Sequence, residues 1–310
     1  MPVAAHMKMA GPGHYAACLA IAAAALVAGA LLGRRLAGDR RRSAWVLGPC
    51  VLLLVLYALC RWLPAWEVRI FPWAVYAFWQ KQWVFAPGIF VVACGGAMLP
   101  IRWNRWVVWA AAAGILGWSA LVGRWMLRDL CPGSRALPVR GMVVEQSTGY
   151  TCAPAACATL LAAWGIEKSE HEMAQLCLCV PDRGTSAFDT YRGLRLAAEG
   201  SGLQARLVEL DRRGLDRLVC PFTIGSDGHA LVIFAVRGHH LLVGNPFVDQ
   251  PMWRSAPLVL KGWDGIATLL CREGPFDGQN APHLEAWLKT AGAAPGEAVR
   301  RKPKEGGAGE

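Results

Sequence analysis

A long uncharged run near the N-terminus most constrains how this chain can fold. Residues 15–32, YAACLAIAAAALVAGALL, contain no charged side chain, and about 18 such residues are enough to cross the hydrocarbon core of a membrane. Three further apolar runs follow, at 44–60, 83–100 and 106–123. With 55% hydrophobic and 17% charged residues, the chain is too apolar for an ordinary soluble protein. The sequence therefore predicts a membrane region of about four helices over residues 1–130.

A cleaved signal peptide is the competing interpretation of the first run, because that run is alanine-rich and follows Lys8. Tryptophans near the ends of the runs favour spanning helices instead, since indole rings concentrate at membrane interfaces; they are Trp45, Trp62, Trp66, Trp83, Trp103 and Trp106. Segment 68–80 is interpreted as an interfacial or re-entrant piece. Five arginines in the loop 34–42 place that loop in the cytoplasm. We therefore expect an integral protein of a bacterial inner (plasma) membrane, with everything after residue 123 extracytoplasmic.

The remainder of the chain predicts one α+β domain. Residues 131–138, CPGSRALP, have the composition of a linker, 139–275 fit a globular domain, and 276–310 form a mostly disordered tail containing the short helix HLEAWLKTA. Helices are expected at 152–164, 169–177 and 187–200, with start signals at Ser169 and Ser186. The strands ARLVEL, PFTIG, HALVIFAV and LLVGNP follow. Because the helices come first along the chain and the strands follow, we expect the helices to pack on an antiparallel sheet.

Cys152 lies where a helix begins, and this position makes it a candidate nucleophile. The helix dipole and unpaired backbone N–H groups favour a thiolate there. His229 opens the strand HALVIFAV and is the candidate base, and the hairpin after it returns Asn245 to the same end as the candidate orienting residue. The side-chain amide of Gln146, with the backbone N–H of Cys152, is the candidate oxyanion donor.

Each candidate also has an ordinary structural interpretation. Cys157 is expected to be a core residue, His229 could cap a strand, Gln146 could be an exposed loop residue, and Asn245 before a proline could be a turn residue. Of the seven cysteines beyond the apolar runs, six could form disulfides if Cys152 is a free thiol, or all could be reduced and buried. The pair Cys177 and Cys179 near His171 matches no usual zinc spacing. The sequence predicts no cofactor and no metal.

The order of Gln, Cys, His and Asn is the papain arrangement, and about residues 141–250 resemble a known family. EQSTGYTCAPAACATLLAAWGI and CPFTIGSDGHALVIFAVRGHHLLVGNPF resemble the cysteine and histidine segments of bacteriocin-processing peptidases. Those papain-like domains remove double-glycine leaders in peptide-exporting ABC transporters. The resemblance implies Cys152 as nucleophile, His229 as base, Asn245 as orienting residue and Gln146 as oxyanion donor.

Four departures from that family stand out in this chain. Ala153 follows the nucleophile where the family commonly has glycine, and Asn245 stands where it usually has aspartate, with Asp249 a less favoured substitute. The membrane region precedes the peptidase domain, the reverse of the exporter order. No Gly-x-x-x-x-Gly-Lys-Ser/Thr phosphate loop is present, so the chain cannot itself be the ATP-driven exporter.

The sequence thus predicts a membrane-anchored cysteine peptidase that processes leader peptides or exported peptides. The alternative is a catalytically inactive peptidase-like domain that binds a peptide or partner protein at the membrane. A transporter is disfavoured because the apolar runs hold almost no internal polar residues. The net charge of +10 indicates contact with anionic lipid rather than nucleic acid, for which no motif is present. Expected partners are a peptide or protein substrate, membrane lipid, and a separate exporter or membrane protein.

Overall fold

The structure is a computed structural model, and the part of the chain that it describes falls into two units. The structure describes residues 12–36, 40–62 and 85–98, nine helical positions between 106 and 121, and residue 131. It also describes residues 136–292 except 182, 212–213, 216–217, 219–220 and 273–280. The chain divides into the compact units Met1–Asp129 and Leu130–Glu310.

The first unit contains the helices α1 (Pro12–Leu36), α2 (Arg40–Trp62) and α3 (Phe85–Met98). Helix α1 packs on α3 through glycine: a Cβ at Gly29 would lie only 2.6 Å from the carbonyl oxygen of Phe90. Gly33, one turn further on, meets the backbone of Cys94 in the same way. Small residues four apart allow two helix backbones to approach this closely.

Only Ala16–Leu36 among the described helices is long and apolar enough to cross a membrane, with a mean hydropathy of 2.3. Its length and composition suit a membrane anchor and also a signal sequence. Helices α2 and α3 overlap the predicted runs 44–60 and 83–100, and the described part of α3 spans 14 residues. Half of the positions in 106–123 and all of 68–80 lie outside the described residues. The four-helix membrane region therefore stays a prediction, with one candidate span among the described helices.

The second unit has the predicted α+β architecture. Its helices are α4 (Cys152–Ala163), α5 (Glu170–Leu176), α6 (Ala187–Ala197), the short α7 (Ala256–Val259) and α8 (Leu284–Ala291). Its strands are β1 (Leu203–Glu209), β2 (Phe222–Ser226), β3 (His229–Arg237), β4 (His240–Gly244), β5 (Met252–Ser255) and β6 (Trp263–Arg272). The described strands form one antiparallel sheet in the order β1-β6-β2-β3-β4-β5.

Local sequence signals set the ends of the first helices. Ser169 and Ser186 both form capping boxes, in which the serine accepts the backbone N–H of the third helical residue and that residue's carboxylate accepts in return. Gly165, at φ +80°, follows the end of α4. Glycine is favoured in this left-handed conformation because it has no Cβ. The predicted starts at Ser169 and Ser186 are confirmed.

Helix α4 is the centre of the core, because every residue after Cys152 in it is buried. Leu160 and Leu161 belong to the same apolar cluster as Ile233 and Phe234 of β3, and all four are fully inaccessible to solvent. A helix buried on all sides has no freedom to rotate or slide. This packing fixes where the N-terminal residue of α4 lies relative to the sheet.

Two strands of the domain were not predicted, and one packing helix lies beyond the predicted domain end. Strands β5 and β6 were not predicted, although β6 lies between β1 and β2 inside the sheet. Helix α8 coincides with the predicted short helix. It packs into the core of the domain, although it lies after residue 275, where the domain was expected to end. Trp287 is fully buried, stacks on Phe234 with ring centroids 5.5 Å apart, and donates its indole N–H to the carbonyl of Met142 at 3.0 Å.

Candidate active site

Cys152 is the first residue of α4, and its side chain is only partly buried. The residue before it, Thr151, is fully buried, and both its backbone N–H (3.3 Å) and its hydroxyl (3.1 Å) donate to the carbonyl of Thr148. Pro154 occupies the first turn, where a missing N–H costs the helix nothing. The backbone that leads into α4 is therefore held in place, and the thiol of Cys152 lies at the N-terminal end of the helix.

His229 is held by a tight turn between β2 and β3. The turn residues Asp227 and Gly228 both have positive φ, +48° and +76°, which matches the twist of a two-residue hairpin. Ser226 and His229 close the turn as paired residues. Gly262 packs against Asp227 so closely that any Cβ there would overlap the Asp227 carboxylate. The imidazole consequently projects from the end of an interior strand, with its backbone restrained on both sides.

Asn245 follows β4 and contacts His229 directly. The Nε2 atom of His229 and the Oδ1 atom of Asn245 lie 2.8 Å apart. The backbone N–H of Phe247 donates to the same Oδ1 at 3.1 Å, which identifies this atom as the amide oxygen. Since an amide oxygen only accepts, Nε2 of His229 must carry a proton. The neutral ring then has its lone pair on Nδ1, the atom that a base needs.

Cys152 and His229 shift each other's acidity in opposite directions. Burial raises the pKa of Cys152, but the hydrogen bond from His229, backbone N–H groups of Ala230 and Ala153, and the imidazolium charge outweigh it and leave the pKa below the ordinary value. The hydrogen bond with Cys152 raises the pKa of His229; burial opposes this, while Asn245 and the thiolate charge add to it. These directions favour a thiolate and imidazolium pair.

Phe247 is a site residue that the sequence interpretation did not identify. Its ring lies parallel to the imidazole of His229, with centroids 4.4 Å apart and an interplanar angle of 6°. The side chain is nevertheless 63% exposed, so its burial in the core does not explain this placement. It covers one face of His229 beside the bond to Asn245. The available sequence signal was an aromatic residue two positions after Asn245.

Gln146 lies on a segment that is tied to the Asn245 loop. Its backbone N–H donates to the carbonyl of Pro246 at 2.9 Å, and its side-chain Nε2 donates to the carbonyl of Thr148 at 2.7 Å. The next residue, Ser147, donates its backbone N–H to the fully buried carboxylate of Glu170 at 2.8 Å. One N–H of the Gln146 amide remains after the bond to Thr148. Asp249 is placed differently: its backbone carbonyl accepts from Val143.

A cavity of about 330 Å³ opens beside the cysteine and the histidine. Small residues make up much of its wall: Gly149, Ala153, Ala156, Gly184, Gly225 and Gly228. Arg183, Thr185, Ala187 and Thr190 also line the cavity. The cavity therefore leaves room for a peptide backbone next to Cys152.

The buried cysteines of the domain have a different environment. Cys157 and Cys177 are fully buried free thiols; their mutual hydrogen bond, followed by burial, raises the pKa of Cys177 well above its ordinary value. Cys271 is also a buried free thiol, so the disulfides considered for these three cysteines are not formed. Cys179 donates to the carbonyl of Tyr150 at 3.3 Å. In the described part of the chain, no three His, Cys, Asp or Glu side chains cluster as metal ligands.

The fold and this cluster define an α+β domain with a cysteine, a histidine and an asparagine gathered at one end of an antiparallel sheet. The family model of the peptidase C39 family matches residues 140–274. An uncharacterized protein of Methanothermobacter marburgensis is 35% identical over 110 residues, which cover 35% of this chain and 74% of that protein. This chain belongs to the peptidase C39 family.

Other similar proteins include one curated protease and two solved peptidase domains. The probable functional amyloid protease FapD of Pseudomonas aeruginosa is 27% identical over 173 residues, 52% of this chain and 74% of that protein. The peptidase domain of Streptococcus ComA, a bi-functional ABC transporter involved in quorum sensing, is 22% identical with a TM-score of 0.36 over 43% of this chain and 98% of that domain. A double glycine motif protease from an AMS/PCAT transporter, solved with a leader peptide, is 20% identical with a TM-score of 0.35 over 44% and 93%.

Proposed function

We propose that the chain is a cysteine peptidase that is held at a membrane by its N-terminal region. The observation that carries the proposal is the group of Cys152, His229 and Asn245, with opposed pKa shifts in the first two and the 2.8 Å contact between the last two. A nucleophile, a base and a group that orients the base are the parts that covalent acyl transfer needs. Ala16–Leu36 supports the anchoring by its length and apolarity.

In the proposed reaction the thiolate of Cys152 attacks the carbonyl carbon of a peptide bond. The oxyanion that forms accepts hydrogen bonds from the backbone N–H of Cys152 and the remaining N–H of Gln146. The Nδ1–H of His229 then passes its proton to the leaving amine as the C–N bond breaks, which leaves a thioester. Water attacks the thioester while Nδ1 takes its proton, and the acid product and the Cys152 thiol are released.

The proposed substrate is a leader peptide or an exported peptide. Family membership supports peptide hydrolysis, and similarity to a probable functional amyloid protease adds an amyloid-forming polypeptide as a substrate class. The small residues along the cavity wall near Cys152 leave space for an extended chain with small side chains. The extracytoplasmic side of a bacterial inner membrane is the proposed location, and anionic lipid, a separate exporter and another membrane protein are the proposed partners.

The test replaces Cys152 with alanine in the full-length protein. Coexpression with a candidate exported polypeptide encoded nearby, followed by mass spectrometry of its N-terminus, reports cleavage. Cys152→Ala should abolish the cleaved product, whereas Cys157→Ala, five residues along the same helix, should retain it. Equal cleavage by wild type and Cys152→Ala would show that the proposed nucleophile is wrong.

A further inference from the structure

The hydroxyl of Thr185, a side chain lining the cavity, is buried and has no hydrogen-bond partner. Two other threonines of the cavity differ from it. Thr190 donates its hydroxyl to the carbonyl of Ser186 at 3.0 Å, and Thr223 donates to the carbonyl of Thr268 at 3.2 Å. Buried hydroxyl groups are nearly always bonded in native proteins, because an unsatisfied one opposes folding. The exception at Thr185 needs an explanation.

The backbone on both sides of Thr185 is firmly held. Before it, Val180 and Gly184 form an isolated β-bridge, with the N–H of Gly184 donating to the carbonyl of Val180 at 2.8 Å. After it, Ser186 is the N-cap of α6 and forms a reciprocal capping box with Asp189. Thr185 therefore cannot escape the cavity wall by a shift of the loop. Rotation about χ1 is the motion that remains, and it exchanges the hydroxyl and the methyl group between staggered positions.

The residues that line the cavity indicate why an unbonded hydroxyl is tolerated at Thr185. Cys152 and His229 line the same cavity as Thr185. A peptide bound there presents backbone N–H and C=O groups, each of which needs a partner once water is displaced. The hydroxyl of threonine can donate to one of these groups or accept from it.

We propose that Thr185 binds the backbone of the peptide substrate next to the scissile bond, by turning its hydroxyl into the cavity. This inference rests on the proposed peptidase function and adds a substrate-binding residue to it. Thr185 contributes to recognition of the peptide and takes no part in generating the thiolate. Its loss should therefore weaken reactions with peptides and leave reactions of Cys152 with small reagents unchanged.

The experiment compares two reagents that modify Cys152 in the full-length protein. The peptide reagent is a tripeptide acyloxymethyl ketone ending in Gly-Gly, because glycine presents backbone groups without a side chain. The small reagent is iodoacetamide. Thr185→Val removes the hydroxyl at nearly constant shape, Thr185→Ser retains it, and Thr290→Val controls for the same substitution on the exposed face of α8.

Thr185→Val should lower the second-order rate of modification by the ketone about threefold to tenfold, the size expected for one neutral hydrogen bond. Its rate with iodoacetamide and its melting temperature should not fall. Thr185→Ser and Thr290→Val should react with the ketone within twofold of wild type. An unchanged ketone rate in Thr185→Val would overturn the inference alone. Failure of wild-type Cys152 to react faster with the ketone than the Cys157 thiol would overturn the inference and the peptidase function together.

Discussion

Two cysteines on one helix, Cys152 and Cys157, occupy contrasting environments. Cys152 lies at the N-terminus of α4, partly exposed, with its pKa held below the ordinary value by His229 and nearby backbone N–H groups, against the effect of burial. Cys157, five residues on, is fully buried, and its partner is Cys177, a second thiol whose pKa is raised. The position on the helix, rather than the residue type, separates a reactive thiol from a packing residue.

The largest expected effect comes from removing the partner that distinguishes the first site. His229→Ala should lower kcat/KM for peptide cleavage by roughly a thousandfold, because general acid and base catalysis contributes about 10² to 10⁴ and the thiolate is lost as well. His239→Ala is the matched control, since His239 is exposed in the hairpin turn at the other end of β3. Steady-state kinetics of peptide cleavage gives kcat/KM for both variants and so tests this difference. Comparable losses in the two would indicate a general effect on folding.

Asn245 should produce the next largest effect, and its sign depends on the replacement. Asn245→Ala removes the acceptor of the His229 Nε2–H, so the ring loses its orientation, and kcat/KM should fall about tenfold to a hundredfold. Asn245→Asp supplies a carboxylate, which raises the pKa of His229 further because it stabilises the imidazolium. The upper limb of the pH–rate profile should then move to higher pH. Identical profiles for Asn245→Asp and wild type would mean that this side chain does not act on His229.

Phe247 should give the smallest effect of the three. Its exposed ring stacks on the imidazole and stabilises the charged form, a contribution worth about 0.5 to 1 kcal/mol at exposed sites. Phe247→Ala should therefore lower kcat/KM about twofold to fivefold and lower the pKa of His229. Phe247→Tyr keeps the stacking and should retain activity. NMR titration of His229 separates this role from simple packing, since a packing residue would leave that pKa unchanged.

Local chemistry explains which parts of the fold could be predicted from the sequence. The helices that begin after Ser169 and Ser186 have their start signals in the residues next to the helix N-terminus. The segment from His229 to Asn245 is recognisable as a strand and hairpin from two short apolar runs separated by a turn. Strand β6 escaped prediction because residues 267–271 are all buried, so the sequence lacks the period of two that marks a half-exposed strand. Unlike β3, this stretch has only one β-branched residue, Thr268, to favour a strand. Strand β5 is a four-residue edge strand, too short to give a pattern.

The site could be predicted only as far as residue types and chain order allow. Cys152, His229 and Asn245 were candidates from the sequence, and the structure brings them together. The roles of Phe247 and Thr185 depend on contacts that no local pattern encodes: a stacked ring at 4.4 Å and a hydroxyl without a partner. Trp287 is similar, since its place in the core depends on Phe234, more than fifty residues earlier in the chain.

The most direct test of the account is the pH dependence of iodoacetamide alkylation at Cys152, read by mass spectrometry with the Cys157 peptide as internal reference. The pKa of Cys152 is lowered and that of His229 is raised, so the thiolate exists above the lower value and is paired with an imidazolium up to the higher one. Wild-type Cys152 should react with a midpoint below the ordinary value of about 8.5, while Cys157 stays unmodified. In His229→Ala, burial still raises the pKa of Cys152 and only the backbone N–H groups of Ala230 and Ala153 lower it, so the midpoint should rise relative to wild type. A wild-type midpoint at or above 8.5, or one unchanged in His229→Ala, would contradict the account.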